Sequence, residues 1–315
     1  MRCSAPLWGR FSAGAAQRLQ KERRSTVFKG SMVALVTPFR DGEVDWKTLD
    51  ALVDLHVEAG TDVLVPCGTT GESPTLTHAE NDAVVAAVVK RAKGRIPVLA
   101  GTGSNSTAEA LAMTRNARKN GADGSLLVVP YYNKPTQEGL YQHFKTIADA
   151  VDFPHVLYNI PGRCGVEMSV DTICRLRQDC PNIVGVKHAT GSMDGASELM
   201  GRSDIAVYSG DDSMTLPLMS IGAIGVISVL ANIVPKDVKA MTDAALKGDW
   251  ATARTWHHKM FKLAKGLLSI EVNPIPIKTA MAMRGMLAEE FRLPLCKMAP
   301  ANREKLEAAL KEYGI

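Results

Sequence analysis

A lysine at the end of an apolar segment is the residue of this sequence best suited to chemistry. Lys187 closes the apolar run 183–187, whereas lysines at strand ends usually flank such runs as solvated residues. Burial disfavours the ammonium form and lowers the pKa of a lysine. Attack on a carbonyl carbon needs a neutral amine. We therefore predict that Lys187 forms a Schiff base with a small keto acid.

Three further polar segments each follow a predicted strand: 68–73 (GTTGES), 130–135 (PYYNKP) and 158–163 (YNIPGR). The glycines, amides and hydroxyls of the first can hold an anion such as a carboxylate. A phenol in the other two can relay protons, and Arg163 can bind a carboxylate through two hydrogen bonds. Each segment alone also fits an ordinary role: a Gly-rich turn, aromatic packing or a surface salt bridge.

The elements that must position these residues alternate between short apolar runs and segments with helical spacing. The predicted strands are 32–36, 63–65, 96–100, 125–129, 155–158, 183–187, 206–208 and 225–228. Such continuous apolar runs are typical of parallel strands covered on both faces. Eight units favour a (β/α)8 TIM barrel, in which working residues lie at the C-terminal ends of strands. A doubly wound open sheet is the second reading, but no GxGxxG motif follows the first run.

Helical spacing predicts six helices within the barrel, at 46–59, 78–92, 108–120, 137–150, 170–178 and 217–221. After Pro235 only helical patterns remain, at 236–246, 250–268, 276–286 and 303–313. A barrel of this type needs about 250 residues. We therefore predict a head at 1–27, a barrel at 28–250 and a C-terminal helical appendage at 251–315.

The charge of the chain is concentrated in its first residues. The formal net charge is +4, but residues 1–30 carry seven basic residues and one acid, which leaves a mildly acidic body. The body therefore offers no basic surface for nucleic acid. No apolar run is long enough for a membrane span. The head is predicted to be disordered or a misassigned start, and the alternative is an organellar transit peptide.

Cysteines and histidines give no sign of a metal site. The six cysteines are scattered and form no CxxC pair, so neither a zinc site nor a disulfide framework is indicated. A reducing compartment, the cytoplasm, fits best. The seven histidines lack metal-ligand spacing beside strand-end acids. A metal-dependent aldolase is therefore disfavoured.

Seven segments occur in a fixed order along residues 28–315: GTTGES, PYYNKP, YNIPGRCG, VKHATG, YSGDD, GVISV and NPIPIK. With these motifs the chain resembles the 4-hydroxy-tetrahydrodipicolinate synthase (dihydrodipicolinate synthase) family, whose superfamily includes N-acetylneuraminate lyase. The resemblance implies a lyase of lysine (diaminopimelate) biosynthesis that condenses pyruvate with L-aspartate 4-semialdehyde. It also implies that no cofactor is needed, because the protonated imine on Lys187 serves as the electron sink.

The resemblance implies catalytic roles for Lys187, Tyr158, Tyr132 and Thr70, and a binding role for Thr69. Lys187 forms the imine, and Tyr158 donates and accepts protons during its formation. Thr69 and Thr70 bind the pyruvate carboxylate, and Thr70 also relays protons. Tyr132 completes a Thr–Tyr–Tyr relay by reaching in from a neighbouring subunit, which implies a homo-oligomer, either a dimer or a tetramer.

Further residues are expected to bind ligands. By resemblance, Arg163 receives the carboxylate of the semialdehyde, and the backbones of Gly210 and Ile227 line the pyruvate pocket. A feedback pocket for L-lysine is implied at Ser73, His78, Asn105, Glu109 and Tyr131. Pro74 and Asn81 depart from the lysine-sensitive pattern, which has alanine and histidine there.

Two alternatives to this function stay open. Another pyruvate-dependent aldolase of the same superfamily could cleave a sugar acid or a hydroxy-keto acid. His188 stands where many members carry an acid, which leaves the aldehyde partner open, although Arg163 and the PYYN segment favour the synthase. A catalytically silent binding protein is the second alternative. Retention of Lys187, Tyr132, Tyr158 and Thr70 argues against it.

Overall fold

Eight parallel strands form the barrel that the sequence predicts. The computed structural model describes residues 28–315, so the predicted basic head at 1–27 lies outside the described residues. The strands are β1 (Gly30–Ala34), β2 (Val63–Val65), β3 (Leu99–Gly101), β4 (Gly124–Val128), β5 (His155–Asn159), β6 (Ile183–His188), β7 (Ala206–Ser209) and β8 (Gly225–Ser228). Each predicted run overlaps one strand, and the (β/α)8 prediction is confirmed.

The strands pair in chain order around the barrel. β1 pairs with both β2 and β8, which are the second and the last strand along the chain. A parallel bridge between Leu64 and Val98 joins β2 to the segment that leads into β3. The Leu64 amide also donates to the Pro97 carbonyl at 2.9 Å. The sheet therefore closes on itself, and the C-terminal ends of all eight strands face the same side.

The barrel interior is a packed core of its own. Inward-facing side chains from seven strands form one buried cluster with Phe28, which precedes β1: Met32, Ala34, Val63, Val65, Leu99, Leu126, Val156, Tyr158, Tyr208 and Ile227. Phe28 is fully buried, and its carbonyl accepts a 3.2 Å hydrogen bond from the Tyr208 hydroxyl. A larger apolar core lies between the strands and the surrounding helices. Packing thus fills the barrel floor and leaves the C-terminal face for polar residues.

Twelve helices are present among the described residues. They are α1 (Trp46–Ala59), α2 (His78–Ala92), α3 (Thr107–Lys119), α4 (Gln137–Ala150), α5 (Pro161–Cys164), α6 (Val170–Asp179), α7 (Met193–Arg202), α8 (Thr215–Ser220), α9 (Pro235–Leu246), α10 (Trp250–Ser269), α11 (Ile275–Met283) and α12 (Pro300–Tyr313). All ten predicted helices are confirmed to within a few residues at their ends. The structure adds α5, α7 and a short hairpin of Phe39–Arg40 with Glu43–Val44.

The chain after β8 is helical, as expected. α9 to α12 follow the last strand and contain no further strand of the sheet. The boundary between barrel and appendage at residue 250 stays a prediction. Within residues 28–315, no helix combines the length and the apolar character needed to cross a membrane.

Candidate active site

Lys187 lies inside the barrel between two tyrosines. It is the fifth residue of β6, and its side chain is 5% exposed. In the sheet register it pairs with Tyr158 of β5 on one side and with Tyr208 of β7 on the other. Because residues in register point to the same face of a sheet, all three side chains project into the barrel. The predicted nucleophile is therefore buried at the C-terminal end of its strand.

The surroundings of Lys187 favour a neutral amine. Burial, aided by the positive charge of Arg163, lowers the pKa of Lys187 to about 7, although the negative charge of Asp212 opposes the shift. Asp212 is itself buried, and it accepts hydrogen bonds from the Val229 amide (2.9 Å), the Leu230 amide (3.0 Å) and the Ser228 hydroxyl. At neutral pH a large fraction of Lys187 is thus ready to attack a carbonyl carbon.

A pKa of about 7 at Lys187 predicts the pH dependence of imine formation. Only the neutral amine reacts, so the rate constant with pyruvate should rise about tenfold per pH unit below pH 7 and level off above it. Stopped-flow mixing with pyruvate across pH 5–9 measures this constant. The variant Arg163→Met removes a nearby positive charge, so its inflection should move to higher pH. A rate constant that keeps rising tenfold per pH unit up to pH 9, as for an ordinary lysine with a pKa of about 10.4, would contradict a buried, activated amine.

Tyr158 is the aromatic residue in contact with Lys187. The Lys187 Nζ lies 4.1 Å from the centroid of the Tyr158 ring. Burial raises the pKa of Tyr158 to about 12, while Arg163 and a hydrogen bond with the Thr69 side chain act in the opposite direction. The phenol therefore stays protonated at neutral pH and is available as a proton donor beside the amine.

The two threonines of the loop after β2 have different partners. The Thr69 side chain lies near the Tyr158 phenol and lowers its pKa, against the larger effect of burial. Thr70 is 2% exposed, and its hydroxyl oxygen accepts a hydrogen bond from Asn273 Nδ2 at 3.0 Å. The sequence analysis gave the relay role to Thr70. That role stays a prediction, and the effect of the Thr69 side chain on the pKa of Tyr158 makes Thr69 a second candidate for it.

Gly210 lies beside the lysine, and Ile227 lies in the barrel interior. A Cβ atom at Gly210 would come within 3.2 Å of Lys187 Cε and within 2.6 Å of the Ala189 Cβ. Any larger residue would therefore crowd the nucleophile. Ile227 of β8 is 1% exposed and belongs to the same interior cluster as Tyr158.

Arg163 lies on the short helix α5 that follows β5. Its Nη2 donates to the backbone carbonyl of Asn273 at 2.9 Å, and the residue itself is exposed. Arg163 also lines the cavity that contains Thr69 and Tyr158. A guanidinium at this position can bind the carboxylate of a second substrate.

The predicted lysine pocket belongs largely to the same cavity. A single cavity of about 420 Å³ is lined by both sets of residues: Thr69, Tyr158 and Arg163, together with Ser73, His78, Glu109 and Tyr131. Asn105 is not among the lining residues. Its Nδ2 donates to the Tyr131 carbonyl at 3.2 Å, so it fixes the turn that carries Tyr131.

Tyr132 is the one predicted catalytic residue that the single chain does not bring to the site. Its side chain is 88% exposed, and its backbone has a φ of 72°, a conformation rare for a residue other than glycine. The neighbouring Tyr131 lines the cavity while Tyr132 projects away from the surface. In the single chain, Tyr132 is therefore not part of the cavity that Tyr158 and Thr69 line.

The side chain of His188 lies on the side of β6 that faces away from the cavity. Its Nε2 lies 2.9 Å from the Ser192 carbonyl oxygen and 3.0 Å from the Thr190 hydroxyl. These contacts hold the imidazole on the helix side of the strand, as the alternation of side chains along β6 predicts. The His188 ring therefore makes no direct contact with the imine site.

Two residues near the lysine were not assigned by sequence reasoning. Asp212 belongs to the YSGDD segment, and Asn273 opens the NPIPIK segment. Both segments carry the resemblance, but no spacing rule connects residue 273 with residues 70 and 163. Among residues 28–315, no group of three or more His, Cys, Asp or Glu is arranged to hold a metal ion.

Comparisons with known proteins identify the family of the chain. A family model described as the dihydrodipicolinate synthetase family matches residues 27–313. The 4-hydroxy-tetrahydrodipicolinate synthase of Aquifex aeolicus is 54% identical over 291 residues, covering 92% of this chain and 99% of that protein. Two solved structures, both with a TM-score of 0.89, are also similar. The dihydrodipicolinate synthase of Acinetobacter baumannii complexed with pyruvate is 49% identical, and the match covers 92% of this chain and 100% of that chain. The enzyme of Cyanidioschyzon merolae with lysine bound is 39% identical, and the match covers 92% of this chain and 99% of that chain. The chain therefore belongs to the dihydrodipicolinate synthetase family.

Proposed function

We propose that this protein condenses pyruvate with L-aspartate 4-semialdehyde to give 4-hydroxy-tetrahydrodipicolinate, through an imine on Lys187. The observation that carries the proposal is a buried lysine, with a pKa of about 7, in contact with Tyr158. A neutral amine and a protonated phenol are the two groups that imine formation requires. No cofactor is needed, since the covalent imine itself activates the substrate.

The sequence of bond changes follows from these groups. The Lys187 amine attacks the keto carbon of pyruvate, and Tyr158 supplies a proton to the oxygen that leaves as water. The imine then loses a methyl proton to the Tyr158 oxygen, which has just given up its own proton, and becomes an enamine. The enamine carbon attacks the aldehyde carbon while Arg163 holds the carboxylate of the semialdehyde. The amino group of the semialdehyde finally attacks the imine carbon, which closes the ring and releases Lys187.

A second copy of the chain completes the proposed site. The relay from Tyr158 and Thr69 to solvent lacks its last phenol in one chain, where Tyr132 is 88% exposed. The exposed tyrosine fits a homodimer in which each copy supplies Tyr132 to the other, and two such dimers would form a tetramer. The order of the relay is thus proposed as Tyr158, Thr69 and the partner's Tyr132.

Reductive trapping and a choice of aldehydes test the proposed function. Borohydride should fix one pyruvate on Lys187, and mass spectrometry of the peptide locates the adduct. Consumption of pyruvate with L-aspartate 4-semialdehyde should then be measured beside cleavage of N-acetylneuraminate. Turnover of N-acetylneuraminate without turnover of the semialdehyde would replace the synthase by another aldolase. No adduct at all would indicate a silent binding protein.

Feedback inhibition by L-lysine is proposed at the part of the cavity that contains Glu109. Glu109 accepts a 2.7 Å hydrogen bond from the Ser104 hydroxyl and lines the cavity with His78 and Tyr131. A fixed carboxylate there can bind an ammonium group. The lysine-bound enzyme of Cyanidioschyzon merolae, 39% identical, supports the proposal.

We therefore expect L-lysine to inhibit turnover and Glu109→Gln to raise the inhibitory concentration. The loss of a charge-assisted hydrogen bond predicts an increase of about tenfold or more. Inhibition curves for both proteins measure it, with Glu138→Gln on the exposed face of α4 as the matched control. Equal inhibition of Glu109→Gln and the unaltered protein would place lysine elsewhere.

A cytoplasmic location is proposed from the chemistry of the cysteines. The five described cysteines are all free, and three of them are buried. Thiols are stable in a reducing compartment. An organellar location remains the alternative if residues 1–27 act as a transit peptide. Mass spectrometry of the natively expressed N-terminus distinguishes a cleaved head from a retained one.

A further inference from the structure

The polar loop after β2 ends in a residue with an unusual backbone conformation. Glu72 has a φ of 54°, in the left-handed region that residues other than glycine rarely adopt. Such a conformation is unfavourable by itself and persists where the surrounding structure holds it. The Glu72 side chain has no exposed surface. Its buried contacts therefore show what holds the end of this loop.

The Glu72 carboxylate is bound by two residues from the C-terminal part of the chain. Lys278 of α11 forms an ion pair with one carboxylate oxygen, and the Arg292 amide donates to the other at 3.3 Å. The Lys278 Nζ lies 4.3 Å from the ring centroid of Phe39 and 5.1 Å from that of Phe291. Because an unpaired charge is costly to keep out of water, the two charges need each other. The ion pair thus anchors the end of the loop to α11.

The first residues of the same loop have free backbone amides. The amides of residues 71–73 donate back to the carbonyls of Gly68 and Thr69 at 3.1–3.3 Å. The amides of Gly68, Thr69 and Thr70 have no acceptor among residues 28–315. Gly68 and Thr69 also line the cavity that contains Tyr158. Successive free N–H groups in a tight turn can bind an anion such as a carboxylate.

Resting on the proposed function, we propose that the ion pair between Glu72 and Lys278 positions the free amides of residues 68–70 for the carboxylate of pyruvate. The hydrogen bonds from residues 71–73 depend on the turn that Glu72 completes in its left-handed conformation. Holding Glu72 from α11 therefore fixes the direction of these amides before the substrate arrives, which lowers the entropic cost of binding. Neither Glu72 nor Lys278 lines the cavity, so both act through the loop.

A second contact keeps the loop folded when the ion pair is removed. The Thr37 hydroxyl, in the loop after β1, donates to the Gly71 carbonyl at 2.7 Å. This hydrogen bond does not involve either charge. Loss of the ion pair should therefore loosen the turn without unfolding the loop, and the effect should be confined to substrates that carry a carboxylate.

Acetone is the probe that separates positioning of the amides from general damage to the site. It keeps the keto carbon and a methyl group of pyruvate but lacks the carboxylate. Glu72→Gln combined with Lys278→Met removes both charges, so no buried charge is left unpaired. In this double variant the second-order rate constant of adduct formation on Lys187 should fall about tenfold or more with pyruvate, because hydrogen bonds to a charged group are weakened. With acetone it should change less than about threefold. Borohydride trapping at several ketone concentrations, followed by peptide mass spectrometry, measures both constants.

The single variant Lys278→Met distinguishes positioning from stability. It leaves the Glu72 carboxylate without its partner, so it should be less stable than the double variant. Positioning predicts the same selective loss with pyruvate in both variants, although their stabilities differ. Lys239→Met is the matched control, since Lys239 binds Asp62 at 3.3 Å and also Asp243, next to the N-terminal end of β2. Both rate constants should be unchanged in that protein.

The outcomes separate this proposal from the function on which it rests. Equal losses with pyruvate and acetone would overturn the positioning role. A loss with pyruvate that is regained in the double variant would do so as well, since the ion pair would then only stabilise the fold. An unaltered protein that forms no pyruvate adduct on Lys187 would instead count against the proposed function, whatever the variants show.

Discussion

Lys187→Ala should abolish the pyruvate adduct and lower kcat/KM for pyruvate about a thousandfold or more. No other described amine lies against Tyr158, and the nearby Arg163 carries a guanidinium, which is not a nucleophile. Without the covalent imine, the methyl group of pyruvate must lose its proton unaided. Borohydride trapping followed by peptide mass spectrometry, together with steady-state rates, measures both losses.

Measurements of thermal stability distinguish a loss of catalysis from a loss of folding. Lys187 is buried, and taking its amine out of water costs free energy, which is why its pKa falls to about 7. Lys187→Met should therefore unfold at the same temperature as the unaltered protein or at a higher one. Lys47→Ala, at an exposed position of α1, serves as the control for loss of a lysine. A pyruvate adduct that persists on another lysine of Lys187→Ala would disprove the assignment.

The barrel was predictable because each of its strands is covered on both faces. Continuous apolar runs such as 155–158 and 225–228 signal that environment without any knowledge of tertiary structure. Helix α7 was not predicted, since Gly195 and Gly201 weaken its local preference. The first strand is predicted at 32–36 and observed at Gly30–Ala34, so the prediction finds the strand but places its ends two residues too late.

The site was predictable only in part. Lys187 could be found from its place on an apolar run, and the resemblance supplied roles for Tyr158 and Arg163. Which of Thr69 and Thr70 relays protons depends on which hydroxyl faces the phenol, and adjacent residues of a loop carry no periodic signal for that. Asn273 reaches the site through tertiary contacts with Thr70 and Arg163, which are 203 and 110 positions earlier in the sequence.

Lys278→Met should lower the free energy of unfolding by about 3–5 kcal/mol, the range for removing one partner of a buried ion pair. Lys278 of α11 binds Glu72 in the loop that carries Thr69 and Thr70, and neither side chain is exposed. Its Nζ also lies 4.3 Å from the Phe39 ring centroid. Among residues 28–315, the substitution leaves the buried Glu72 carboxylate with the Arg292 amide, at 3.3 Å, as its one hydrogen-bond donor.

Urea unfolding at a fixed protein concentration compares three variants. Lys262→Met is the matched control, because its partner Glu312 is 59% exposed and such surface pairs contribute about 0–1 kcal/mol. Adding Glu72→Gln to Lys278→Met removes the stranded charge and should recover part of the loss. The Glu72 amide donates to the Thr69 carbonyl at 3.1 Å, so the ion pair also fixes the relay threonine. A loss equal to that of Lys262→Met would mean that α11 and the loop hold each other through packing alone.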